Sequence, residues 1–85
     1  MSWQIVWTDR SRRDLRRLDL AVAQRVIRAV DRLAVSGLGD ILRLHGAAHE
    51  WRLRVGDWRV RYVYEEETRS IRVLRVLPRG RAYRD

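Results

Sequence analysis

The stretch from Trp51 to Tyr64, Trp-Arg-Leu-Arg-Val-Gly-Asp-Trp-Arg-Val-Arg-Tyr-Val-Tyr, alternates apolar residues with arginine on both sides of a Gly-Asp pair. A period of two flanking a two-residue turn signal specifies a β-hairpin. Glycine at the first central position favours a type II′ turn, which pairs Val55 with Trp58 and sets the rest of the register by counting outward. Leu53 then faces Val60 and Trp51 faces Tyr62 on one side of the sheet. On the other side Arg54 faces Arg59 and Arg52 faces Arg61, so one small patch holds four guanidinium groups. Like charges directly opposite each other destabilise a sheet, by about 1–3 kcal/mol per pair at a separation of about 5 Å before the side chains splay. Folding alone is not expected to select such a face. A docked polyanion would remove the repulsion, which makes this hairpin the place to look for function.

At 85 residues the chain is expected to form a single domain, residues 1–85, with one thin core and no linker. The net charge is +8, from 19 basic against 11 acidic residues, and every basic residue is arginine. A GC-rich genome accounts for arginine in place of lysine at scattered surface positions, but not for the clustering. A basic domain of this size suggests nucleic acid, an anionic membrane surface or an acidic protein as partner, and composition does not choose among them. The absence of cysteine excludes disulfides, thiolate metal sites and cysteine nucleophiles, and fits a reducing cytoplasm. His45 and His49 lie in a loop-to-strand segment and read as incidental, so no metal or other cofactor is expected. No apolar run approaches the roughly 20 residues that span a bilayer, and Met-Ser-Trp-Gln lacks the basic start and apolar core of a signal peptide. The expected setting is cytoplasmic, with no membrane partner.

In chain order, Trp3, Ile5 and Trp7 alternate with Gln4 and Val6, which predicts a short first strand with both tryptophans on one face. Thr8 or Asp9 can cap a thin amphipathic helix from Asp9 to about Asp19, with Leu15 and Leu18 as its apolar contacts and Asp9 within reach of Arg12 or Arg13. Arginines 10, 12, 13, 16 and 17 on this helix are read first as a solvated face, with a second phosphate-binding surface as the other reading. Asp19 is a second N-cap candidate, and Val22, Val26, Val30 and Leu33 follow at helical spacing, widened by Ile27 and Ala29, until Ser36-Gly37 stops the helix. Ser36 to His49 is expected to be a flexible connection in which Ile41, Leu42 and Leu44 tuck under the sheet edge. Glu65-Glu66-Glu67 reads as a solvated turn. Ile71 to Leu77, apolar at Val73, Leu74 and Val76, predicts a central last strand covered on both faces. It runs back toward Gly56-Asp57 and brings Arg79 and Tyr83 to the arginine patch.

Arginines in a shallow groove hold phosphate bidentately, and a tyrosine beside them stacks on a base or hydrogen-bonds a sugar hydroxyl. Cleavage of RNA without a metal requires the 2′-hydroxyl to lose its proton while the phosphorus gains charge that fixed cations stabilise. Arginine, with a pKa above about 12, is a poor base. Tyr83 is the nearby titratable group, and an arginine-rich pocket favours its phenolate. A docking surface without chemistry is the other reading of the same residues.

The hairpin motif, followed by Ile71-Arg-Val-Leu-Arg-Val and Arg79-Gly-Arg-Ala-Tyr83-Arg84, resembles the RelE/ParE superfamily of bacterial toxins; the Leu44-His-Gly lead-in and the strand-helix-helix start match as well. The resemblance implies an α+β fold: an N-terminal strand and helical hairpin on a twisted, mainly antiparallel four-stranded sheet, one face open. It implies a toxin of a type II toxin-antitoxin module, neutralised by a RelB-like antitoxin that is acidic or amphipathic. In the RelE branch the activity is endonucleolytic cleavage of messenger RNA in the ribosomal decoding site, whereas the ParE branch poisons DNA gyrase; a degenerate toxin that only binds antitoxin is a further reading. The family's catalytic positions fall on Arg52, Arg54, Arg59, Arg79 and Tyr83, and RNA contacts on Arg52, Arg54, Arg59, Arg61, Arg79 and Arg81. First-strand positions that are often lysine in RelE-type nucleases are arginine here. Leu77-Pro78 stands where many members have Gly-His, which leaves acid-base work to Tyr83 and Arg79.

Overall fold

The computed structural model describes residues 2–46 and 49–80. Its elements are β1 (Gln4–Trp7), α1 (Asp9–Arg16), α2 (Leu20–Ser36), β2 (Asp40–Arg43), β3 (Glu50–Val55), β4 (Trp58–Glu65) and β5 (Ser70–Pro78). The sheet order is β1-β5-β4-β3-β2, with β1 parallel to β5 and every other pair antiparallel. The hairpin register is the one counted from the turn: Val55 pairs with Trp58, Leu53 with Val60 and Trp51 with Tyr62. Gly56 takes φ 59° and Asp57 stays at negative φ, as a type II′ turn requires.

The helices cover one face. Val26, Val30, Leu33 and Ala34 of α2 are buried against Leu53, Val55, Val60, Tyr62, Ile71, Val73 and Val76, and each fully buried valine or leucine contributes about 1.5–3 kcal/mol. Strict alternation along β5 would put Val73 and Val76 on opposite faces. A register shift between Arg61 and Tyr62 resolves this: Arg61 pairs with Arg75 and Tyr62 with Val73, so Leu74 is the extra residue of a β-bulge and both valines point under the helices.

Two expectations are corrected. Among the described residues the sheet has five strands, not four, because Asp40–Arg43 is a strand on β3 where a flexible connection was expected. Gly39 favours this: a Cβ there would lie 2.8 Å from Leu53 Cδ1, so any other residue would force the buried Leu53 side chain to shift. The first helix is also shorter. It ends at Arg16, with the Arg17 N–H turning back to the Asp14 and Leu15 carbonyls, and Asp9 makes no ion pair with Arg12 or Arg13.

Helix α1 sits where β1 stops and takes over protection of the β5 edge. Thr8 Oγ1 donates to the Val73 carbonyl at 2.8 Å and accepts from the Ser11 N–H at 3.2 Å, so one hydroxyl ties the helix start to the strand. Three residues beyond, Asp14 Oδ2 accepts from the Val76 N–H at 2.9 Å, satisfying an edge donor that β1 is too short to reach.

Candidate nucleic-acid interface

The open face carries two adjacent rows of side chains across the sheet. One row runs Leu42, Arg52, Arg61, Arg75; the next runs Asp40, Arg54, Arg59, Leu77. The four hairpin arginines do share one face, and in one of its two opposed pairs, Arg52 with Arg61, carboxylates relieve the mutual repulsion. Arg52 Nη1 lies 3.2 Å from Asp40 Oδ1, Arg61 Nη2 lies 2.7 Å from Glu50 Oε1, and Arg75 Nε lies 2.9 Å from Asp14 Oδ2. Every arginine of that row therefore has a carboxylate. The Arg61–Glu50 and Arg75–Asp14 pairs are at most 15% exposed on either side and are screened less than surface pairs, whereas Asp40, the partner of Arg52, is 59% exposed. Arg52 Nε is buried with no acceptor among the described residues.

The neighbouring row differs. Arg59 is 8% exposed and its Nη1 donates to the carbonyls of Gly56 and Trp58, each at 3.2 Å. Carbonyls satisfy the N–H groups without cancelling the charge. Arg54 is exposed and has no ion pair or side-chain hydrogen bond among the described residues. Arg79 joins this end of the face: its N–H donates to the Asp57 carbonyl at 2.8 Å, which pins the end of β5 to the hairpin turn, and it is exposed. Thus Arg54, Arg59 and Arg79 gather around the Gly56-Asp57 turn, while Arg52 and Arg61 stand one row away in ion pairs. The expected contributions of Arg81 and Tyr83 lie outside the described residues.

The nearest described phenols sit on the other face. Tyr62 is 1% exposed, and burial, reinforced by a 3.4 Å contact with the Tyr64 hydroxyl, raises its pKa well above the ordinary value near 10.0. It is a core group, not a proton carrier for the open face. Among the described residues no three histidine, aspartate or glutamate side chains cluster as a metal site would require.

Sequence reasoning missed the carboxylates. Glu50 was findable, since it lies two residues before Arg52 and alternation puts it on the same face. Asp40 was hidden by the unrecognised strand β2, and Asp14 has no signal within its own helix.

A small basic domain with two helices on one face of a five-stranded mixed sheet and arginines on the other is the architecture of the RelE/ParE toxins. The sequence matches the family model for the ParE toxin of type II toxin-antitoxin systems over residues 5–83, and the chain belongs to that family. Similar solved structures include the archaeal RelE–RelB complex of Pyrococcus horikoshii OT3, at 27% identity and TM-score 0.78 over 96% of this chain and 100% of that one. The RelBE2 toxin-antitoxin complex of Mycobacterium tuberculosis is 28% identical, with TM-score 0.76 over 93% and 100%. The YoeB/ParE toxin of Agrobacterium tumefaciens is 25% identical, with TM-score 0.68 over 88% and 96%. No protein of curated function matches the sequence. The chain is a toxin of a type II toxin-antitoxin system in the RelE/ParE superfamily.

Proposed function

We propose that this toxin is a metal-independent endoribonuclease that cuts messenger RNA on the ribosome and is held inactive by a RelB-like antitoxin. The observation that carries the reading is the 2.8 Å bond from the Arg79 N–H to the Asp57 carbonyl, which brings the Arg79 backbone to the hairpin turn, at the end of the cationic sheet face that carries Arg54 and Arg59. Three guanidiniums not neutralised by carboxylates suit a scissile phosphate. Arg59, locked by two carbonyls, is the preorganised one, and Arg54 and Arg79 close on the phosphate as its negative charge grows. In this reading Tyr83, as its phenolate, takes the proton of the 2′-hydroxyl while the 2′-oxygen bonds to phosphorus, the bond to the 5′-oxygen breaks, and water protonates that leaving oxygen. Arg52 and Arg61 hold the message strand alongside, their charge shared with Asp40 and Glu50.

Solved relatives in complex with RelB support the antitoxin as partner. Leu20 at the start of α2 and Val35 and Leu38 at its end are 54–73% exposed, apolar contacts open to an amphipathic segment, and the +8 charge favours an acidic one. The match to the ParE family model favours a second reading, in which the same basic face inhibits DNA gyrase without cutting RNA.

Mapping new 5′ ends on cellular transcripts after induction, beside a gyrase supercoiling assay, separates the two. The nuclease predicts cuts within reading frames that fall by a factor of about a hundred to a thousand in Arg79→Ala, the cost of losing one transition-state donor, and that fall again in Tyr83→Phe. Gyrase inhibition without cuts overturns the nuclease in favour of the ParE-like activity. Neither effect leaves a protein whose role is confined to antitoxin binding.

A further inference from the structure

A charged surface that the proposed site does not use lies on α1. Arg10, Arg13 and Arg17 recur at three- and four-residue intervals, so they stand on one side of the helix. All three are exposed, and none makes an ion pair or side-chain hydrogen bond among the described residues. Together with Asp14 and Arg75 they line one shallow cleft of about 220 Å³. The carboxylate in that cleft is already spent, since Asp14 accepts from Arg75 Nε and Nη2 and from the Val76 N–H. Its negative charge therefore does not oppose an anion.

A second cleft of about 310 Å³ adjoins the first. Thr8, Asp9, Arg10, Arg61, Leu74 and Arg75 line it, so Arg10 and Arg75 are common to both. Arg61 belongs to the open face, opposite Arg52. The two clefts thus form one path that starts at the arginine row of the sheet, crosses the β5 edge at the Leu74 bulge and ends along α1. Phosphates of an extended single strand recur at intervals the chain of arginines can follow, and an arginine fork binds each one without reading a base.

We propose that Arg10, Arg13 and Arg17 form a backbone-binding track for single-stranded RNA that continues from the open face across the β5 edge. The proposal rests on the reading of the open face as an RNA site and extends the length of RNA the toxin holds. A track of this kind acts through charge alone, so its signature is the salt dependence of binding to a long strand.

The test uses purified toxin and 2′-O-methyl oligonucleotides, which lack the free hydroxyl needed for cleavage. A strand of twenty nucleotides and one of four are each titrated at 50 and 200 mM salt, against wild type, the triple variant Arg10→Ala/Arg13→Ala/Arg17→Ala, and Arg54→Ala. Losing three phosphate contacts lowers the slope of log affinity on log salt by about 2 for a single strand, so wild type should lose about 16-fold more affinity than the triple variant between those salts. The short strand should bind both equally. Arg54→Ala should weaken both strands. If the triple variant matches wild type on the long strand while Arg54→Ala still weakens binding, the track is wrong and the open-face site stands. If it weakens the short strand as much as the long one, the effect is general charge and the track is also wrong. If neither variant changes binding, the RNA reading of the open face fails, and the track with it. Far-ultraviolet circular dichroism checks that the triple variant is folded, and a charge-preserving Arg→Lys triple should recover most of the slope.

Discussion

Two neighbouring rows of one sheet face use arginine in opposite ways. In the row of Arg52, Arg61 and Arg75 each guanidinium is matched by a carboxylate from another part of the chain, Asp40, Glu50 and Asp14. One row toward the hairpin turn, Arg59 is held by the carbonyls of Gly56 and Trp58, and Arg54 and Arg79 are exposed. A carboxylate orients a guanidinium and cancels its charge; a carbonyl orients it and leaves the charge in place. The first row therefore serves to join β2, β3 and α1 to the sheet face, and the second keeps positive charge available to a ligand. Counting arginines does not distinguish them, whereas the acceptor of each does.

The comparison is broken most severely at Asp14. Asp14→Ala removes the partner of Arg75 and the acceptor of the Val76 N–H at once, and should cost about 3 kcal/mol or more in urea unfolding. Asp14→Asn, which keeps one acceptor, should cost less; an equal loss from both would mean that the charge and not the edge contact matters.

RNA affinity sharpens the difference between rows. Arg54→Ala should weaken binding of a short single strand by about tenfold, the effect of one charge-assisted contact, while Arg52→Ala should change it by a smaller factor because its charge is already shared. If Arg52→Ala proves the more damaging of the two, the ion-paired row is the binding row. Glu50→Gln probes the same point with opposite sign. It removes one carboxylate beside Arg61 and makes the open face more positive by one charge, and should tighten RNA binding a few-fold at low salt, with the gain vanishing at about 500 mM, where screening shortens to a few ångströms.

A pH-dependent effect separates both rows from the face beneath them. Tyr62 is buried and its folded-state pKa is raised above 10.0, so the neutral phenol contributes stability that is complete below pH 10 and is lost as pH rises beyond it. Above that pH, unfolding free energy should fall by up to about 1.4 kcal/mol per pH unit. Arginine stays charged there. Tyr62→Phe should flatten this fall between pH 10 and 11 while leaving RNA binding unchanged; an unaltered slope would place the titrating group elsewhere.

Much of this molecule is local in origin. The type II′ turn at Gly56-Asp57 sets the hairpin register within a few residues, and the helical spacing of Val26, Val30 and Leu33 marks the buried stripe of α2, because both patterns depend on a fixed repeat along one segment. Even the return of β5 to the turn follows from hairpin connectivity. Strand β2 was harder to read, since four residues show too little alternation and its formation depends on Gly39 approaching Leu53.

What the sequence determined by itself is which face of the hairpin is apolar, which is cationic and which residue opposes which, since a period of two and a two-residue turn leave no freedom. Only the tertiary structure decided the state of each arginine. Glu50 shares the hairpin face of Arg61 by alternation, but the acceptors of Arg52 and Arg75 come from 12 and 61 residues away, and no local pattern links such positions until β2 pairs and α1 closes over the β5 edge.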